Sequence, residues 1–245
     1  MKILKKSQDA QGRVMLDYLS DKNVLEIIER DDGYIDVSDG PKAYFSEYKD
    51  WAKHLQQAMK YVKGRVLDIG CGAGRHSLYL QNKGFDVLGI DVSPYAIKVC
   101  KRRGIKKTKL ISADKLGQKF GKFDTILMLG NNFGLFENLN YGKKLLKRFS
   151  AITNDNAFII AETLDPYGTK EPHHTRYHPQ NRLKGRLGGE VKIRVRYQNI
   201  ITPWFKYWLA SKPELLQLVK DTDWHLKTFI DSKGPIYIAV IEKQD

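Results

Sequence analysis

The chain has 245 residues, 42% of them hydrophobic and 29% charged, which suits one globular domain with an extension or an insertion. No run reaches the roughly 18 apolar residues that span a bilayer, and the basic N-terminus is not followed by an apolar stretch of signal-peptide length, so the expected location is cytoplasmic. Two cysteines exclude a disulfide framework, no His or Cys spacing fits a metal site, and a formal charge of +14 attracts anions without naming a partner.

Residues 1–62 precede the first core strand and are expected to form an extension packed on the core. Within it, 25–30 and 33–37 flank Asp31-Asp32-Gly33 as a hairpin. Residues 44–62 then carry Tyr44, Tyr48, Trp51, Leu55, Met59 and Val62 near helical spacing. From residue 63 to 245 a second rhythm sets in. A strand over 65–69 ends in a glycine loop, a helix follows over 75–83, and 86–90 is a second strand. Ser93 caps a helix that has Pro94 at its first position and runs to about residue 103. Strands at 109–112 and 123–129, a helix over 140–151 and a strand at 157–161 complete the alternation, which argues for a parallel sheet flanked by helices.

Residues 166–205 interrupt this path and are expected to form a substrate-side insert. In it, 191–197 alternates as a strand with Lys192, Arg194 and Arg196 on one face, either a clamp for an anion or an edge strand blunted by charge. Trp204, Phe205 and Trp208 are spaced for one helical or bent face. A helix over 213–221 leads to strands at 226–230 and 236–241. The turn between them, 231–234, is too short for a crossover helix, so the two should pair antiparallel.

The strongest motif is Val66-Leu67-Asp68-Ile69-Gly70-Cys71-Gly72-Ala73-Gly74. Glycines at a strand end permit a sharp turn and a close approach of backbone to ligand. The third glycine comes one residue earlier than in the dinucleotide fingerprint, and no Gly-Lys-Ser/Thr follows to make a phosphate loop. Asp68 stands at the carboxyl end of its strand, where open α/β sheets bind ligands. A carboxylate there repels a pyrophosphate and suits a cationic ligand such as a sulfonium with an α-amino group. Asp91 ends the second strand, 23 residues after Asp68, where an acid holds ribose hydroxyls. Asp114 follows the third strand and is placed to accept from an adenine amino group.

These residues resemble the Rossmann-fold (class I) S-adenosylmethionine-dependent methyltransferases, strongly over about residues 44–162 and more loosely over 212–242. The resemblance implies an α/β doubly wound sheet of order 3-2-1-4-5-7-6 with strand 7 antiparallel. It implies S-adenosylmethionine as cofactor, held by Asp68, Gly70, Cys71, Gly72 and Gly74 around the methionine part. Asp91 and Val92 would hold the ribose, Ala113 and Asp114 the adenine, and Leu129 and Gly130 would line the site at the fourth strand's end. DNA and RNA amino-methylating members carry an Asn/Asp-Pro-Pro-aromatic segment where this chain reads Asn131-Asn132-Phe133, which counts against base N-methylation.

On the acceptor side the candidates are Asn131, Asn132, Tyr167, Arg196 and Tyr197, with Asp165, His174 and His178 as candidate bases. Asn131 and Asn132 read equally well as turn residues. The expected activity is direct methyl transfer to a small molecule with an anionic group. RNA is the second acceptor class, motivated by charge, and a catalytically silent S-adenosyl-ligand-binding module is the third reading.

Overall fold

The computed structural model describes residues 2–38 and 40–244. From the N-terminus come α1 (Ala10–Tyr18), the hairpin β1 (Glu26–Arg30) and β2 (Ile35–Ser38), and two short helices, α2 (Gly40–Phe45) and α3 (Lys53–Ala58). The alternation then runs β3 (Val66–Ile69), α4 (Arg75–Asn82), β4 (Val87–Asp91), α5 (Pro94–Arg102), β5 (Thr108–Leu110), β6 (Phe123–Met128), α6 (Leu139–Ala151) and β7 (Thr153–Leu164). The remainder is α7 (Pro172–Leu183), β8 (Glu190–Tyr197), β9 (Ile200–Ile201), β10 (Phe205–Trp208), α8 (Lys212–Val219), β11 (Trp224–Asp231) and β12 (Ile236–Lys243). Among the described residues no helix is long and apolar enough to cross a membrane.

Seven strands form one sheet in the order β11-β12-β7-β6-β3-β4-β5. Counted along the core this is 3-2-1-4-5-7-6 from the β5 edge, as expected. The pairs β3–β4, β4–β5 and β6–β7 are parallel, and β12 is antiparallel to both β7 and β11. All four residues of β3 are buried, as a strand covered on both faces requires.

The chain divides into two compact units. The first comprises Met1–Trp51, Gly64–Leu116 and Ile193–Phe205; the second comprises Ala52–Lys63, Gly117–Lys192 and Lys206–Asp245. In the first, Asp9 caps α1 by accepting from Gly12 N at 3.0 Å. Its other oxygen accepts from Ser93 Oγ at 2.7 Å and Tyr95 N at 2.9 Å, so one carboxylate fastens α1 to the start of α5. Ser93 in turn caps α5 through Ala96 N, as its sequence position predicts. Met15, Ala73, Ala96 and Val99 form a buried cluster under this joint. The second unit packs α6 and α8 closely: a Cβ on Gly142 would lie 2.6 Å from Leu218 Cδ1. The fully buried Trp224 donates its indole N–H to Leu146 O at 3.1 Å. Burying a large apolar side chain in this way contributes about 1.5–3 kcal/mol.

Three expectations need correction. Residues 44–62 are not one helix: the chain is extended at Trp51 and Ala52, and α2 and α3 are separate. The apolar spacing is met instead by ring packing, with Tyr48 stacked on Tyr79 at 4.4 Å and the Trp51 indole donating to Ser46 O. The 191–197 strand is not an edge, because β8 lies between β10 and β1 in a second sheet, β10-β8-β1-β2. Phe205 and Trp208 lie on a strand, β10, rather than on a helix.

Candidate functional site

The glycine loop of the first unit is built by its backbone. Gly70, Gly72 and Gly74 have φ of 69°, 55° and 78°, left-handed values that side chains with a Cβ resist. A Cβ on Gly74 would also lie 2.0 Å from Ile105 Cδ1. Four of the loop's N–H groups are engaged within the protein: Gly70 N and Cys71 N donate to Ile90 O, Gly74 N to Cys71 O, and Gly72 N to Asp91 Oδ2 at 2.9 Å. Those four are not free donors for a phosphate. Cys71 turns its thiol into the floor, 3.8 Å from Cys100 Sγ, so the thiol is not a ligand contact.

Carboxylates line the loop. Asp68 is 1% exposed and accepts from Ser77 Oγ at 2.6 Å. Burial pushes its carboxyl up to about 6 against that hydrogen bond; the Asp91 charge pushes the same way and Arg75 pulls back. Asp91 accepts from Ser93 N on one oxygen and Gly72 N on the other, each at 2.9 Å, and burial likewise raises it to about 6. A carboxylate offers about four lone pairs, so each Asp91 oxygen keeps capacity for a ligand hydroxyl. Val92 accepts from Leu4 N through its carbonyl. Ala113 and Asp114 form a separate short turn, in which the Ser112 hydroxyl and Lys115 outweigh burial and hold Asp114 below its ordinary value.

In the second unit, the end of β6 runs through buried Leu129 into Gly130 and Asn131, whose φ values are 69° and 63°. Gly130 N donates to Glu162 Oε2, and the Tyr207 hydroxyl donates to Asn131 O. The Asn131 carboxamide oxygen is buried without a hydrogen-bond partner among the described residues. Asn132 begins a 3-10 turn that ends at Phe136. His54 Nε2 lies 3.5 Å from Glu162 Oε1, both residues buried. Burial, with the Glu162 charge, raises the Tyr207 phenol well above its ordinary value. Glu162, His54 and Tyr207 are absent from the motif-based site. Only Glu162 leaves a trace in the sequence, as an acid that directly follows the apolar run of a buried strand.

Several expected acceptor residues are engaged elsewhere. Arg196 and Arg194 both grip Glu29 across the β1–β8 pair, and these bonds, chiefly that from Arg194, hold Glu29 at about 2; the anion they clamp is internal. Tyr197 is 3% exposed, packs with Ala10, Val14 and Val195, and bonds Asp17 through its hydroxyl at 3.2 Å, a core role rather than a ligand contact. Asp165 caps a turn by accepting from Tyr167 N at 2.9 Å. Tyr167 donates to Glu214, and burial followed by that bond raises its phenol to about 12. His174 and His178 stand on α7, with the His178 ring 5.1 Å from that of Tyr167.

Residues 66–156 match the family model of a methyltransferase domain. The chain is 29% identical over 103 residues to a glycine/sarcosine N-methyltransferase of Parasynechococcus marenigrum (strain WH8102), covering 40% of this chain and 36% of that protein. It is 28% identical over 137 residues to the enzyme of the same name from Halorhodospira halochloris, covering 53% and 51%. The chain thus spans between a third and a half of the length of these curated relatives. A Bacteroides fragilis S-adenosylmethionine-dependent methyltransferase, solved with S-adenosyl-L-homocysteine, superposes with a TM-score of 0.85 over 100% of this chain and 98% of that one. Its 23% identity makes this a likeness of fold. The strand order and the superposition agree on a Rossmann-like fold, within which residues 66–156 match a methyltransferase domain.

Proposed function

We propose that the chain transfers a methyl group from S-adenosylmethionine to the nitrogen of a small molecule that also bears an anionic group. The observation that carries the donor half is the pair of raised carboxylates, buried Asp68 and half-buried Asp91, beside a loop with four N–H groups already engaged. Such a cradle favours a cation bearing hydroxyls over a pyrophosphate. Asp68 would take the donor's amino group and Asp91 its ribose hydroxyls, with Val92 beside them and Ala113 and Asp114 at the adenine. When bound, the donor supplies an electrophilic methyl on a sulfonium. The chain's own contribution is alignment and desolvation, since in-line displacement needs little else from the protein.

The nitrogen acceptor rests on two supports. The matched relatives are named as N-methyltransferases of glycine and sarcosine. In this chain Asn131 keeps an unpartnered buried acceptor oxygen, which suits an N–H donor. Leu129, Gly130 and Asn132 flank it in sequence. An RNA acceptor has only the +14 charge in its favour.

The test is a labelled-donor assay against glycine, sarcosine, a small-molecule cell extract and total RNA, with S-adenosylhomocysteine binding measured in parallel. Label is expected in an amine of low mass. Label confined to RNA would replace the acceptor reading, and absence of S-adenosylhomocysteine binding would end the methyltransferase reading.

A further inference from the structure

The turn after β6 has two consecutive left-handed residues, Gly130 and Asn131, the residue types that tolerate this conformation best. Two side chains from distant parts of the second unit hold it. Glu162 takes the Gly130 N–H and Tyr207 donates to the Asn131 carbonyl. Tyr207 reaches that carbonyl because residue 134 is glycine; a Cβ there would lie 2.2 Å from its ring. His54 backs the second Glu162 oxygen at 3.5 Å. In the same turn the Asn131 carboxamide oxygen is buried without a hydrogen-bond partner among the described residues. An orphaned acceptor of that kind costs about 1–3 kcal/mol unless a partner arrives.

We propose that Glu162 is a positioning residue for the methyl acceptor: acting through Gly130, and together with Tyr207, it holds the Asn131 carboxamide oxygen ready for the acceptor's N–H group. This inference rests on the amine reading above. It assigns a function to Glu162, His54 and Tyr207, which none of the sequence motifs marks.

The probe is sarcosine, titrated by NMR into 15N-labelled protein saturated with S-adenosylhomocysteine, in the wild type and in Glu162→Gln, Glu162→Ala and Tyr207→Phe. Sarcosine should shift the Asn131 side-chain amide signals. Glu162→Gln keeps a carbonyl oxygen for Gly130 N–H and should bind within about threefold of wild type, whereas Glu162→Ala should lose about tenfold or more, the equivalent of one hydrogen bond to a charged group. Tyr207→Phe should fall between. The Gly130 amide should lose exchange protection in Glu162→Ala alone. A cooperative melting transition certifies that each variant is folded, and S-adenosylhomocysteine affinity, measured by calorimetry, should fall less than sarcosine affinity. Wild-type sarcosine affinity in Glu162→Ala, or no shift at Asn131 in the wild type, overturns the proposal. Failure of the wild type to bind S-adenosylhomocysteine would instead sink the methyltransferase reading beneath it.

Discussion

Two sets of carboxylates in the first unit are treated in opposite ways. Glu29, in the second sheet, is gripped by Arg194 and Arg196, and Arg194 itself stacks on Trp204 at 4.4 Å. Its carboxyl is held at about 2. Asp68 is buried and Asp91 half-buried, and both rise to about 6. Arg75, whose charge reaches Asp68, directs its guanidinium to Ala43 O at 2.9 Å and His76 Nε2 at 3.0 Å instead. Around Glu29 the fold supplies the counter-charge. At the cradle it withholds one, and the deficit is what a cationic donor would fill.

The contrast can be tested in four experiments. Asp91→Ala removes two charge-assisted acceptors for ligand hydroxyls, worth about 1.5 kcal/mol each, so calorimetry should show about a 100-fold loss of S-adenosylhomocysteine affinity. Equal affinity in the two proteins would remove Asp91 from the site.

Acidification comes next. With carboxyls near 6, affinity for S-adenosylhomocysteine should fall about tenfold or more between pH 7 and pH 5. Stability of the unliganded protein should move the other way. A folded value above the ordinary 3.8 means that these groups stabilise most below that pH and lose the contribution as pH rises through 6. Melting curves of wild type against Asp91→Asn across this range isolate the effect; a pH-independent difference would contradict it.

Ser77→Ala deprives Asp68 of its hydroxyl partner, raising its carboxyl further and weakening S-adenosylhomocysteine by about fivefold at neutral pH. The midpoint of the pH profile should shift upward with it. Glu29→Gln should leave ligand affinity untouched and cost about 1 kcal/mol of stability, about 2–4 °C in Tm, because the ion pairs are partly solvated. Glu29 contributes above its ordinary 4.5 and loses that contribution as pH falls through about 2, so the two melting curves should converge at that acidity. A ligand effect in Glu29→Gln would erase the distinction between the two sets.

The cradle was legible because its parts are local in sequence. A strand, a glycine loop and an acid at the next strand's end are fixed by short-range spacing, and the boundaries of β3 and β4 lie within one residue of their expected positions. The closing hairpin was legible too, because a four-residue turn forbids a crossover. The remainder depends on pairings with no short-range signature. Glu29 meets Arg196 across 167 positions, so spacing alone presents Arg196 as a free cation. Glu162 and His54 are 108 positions apart. Tyr197 reads as a polar aromatic of a ligand pocket until the fold places it against α1. Asp9 caps α1, and nothing local in the sequence reveals that it also serves α5.

The two cysteines lie sealed beneath the glycine loop. Cys100 donates to Gly72 O at 3.2 Å, and its contact with Cys71, reinforced by burial, keeps the Cys71 thiol protonated far above its ordinary range. A protonated, enclosed sulfur reacts slowly with alkylating reagents. Each modification event therefore records a moment when the loop has lifted, and the rate of iodoacetamide capture becomes an internal clock for the breathing of the loop, expected to run slower whenever a ligand weighs it down.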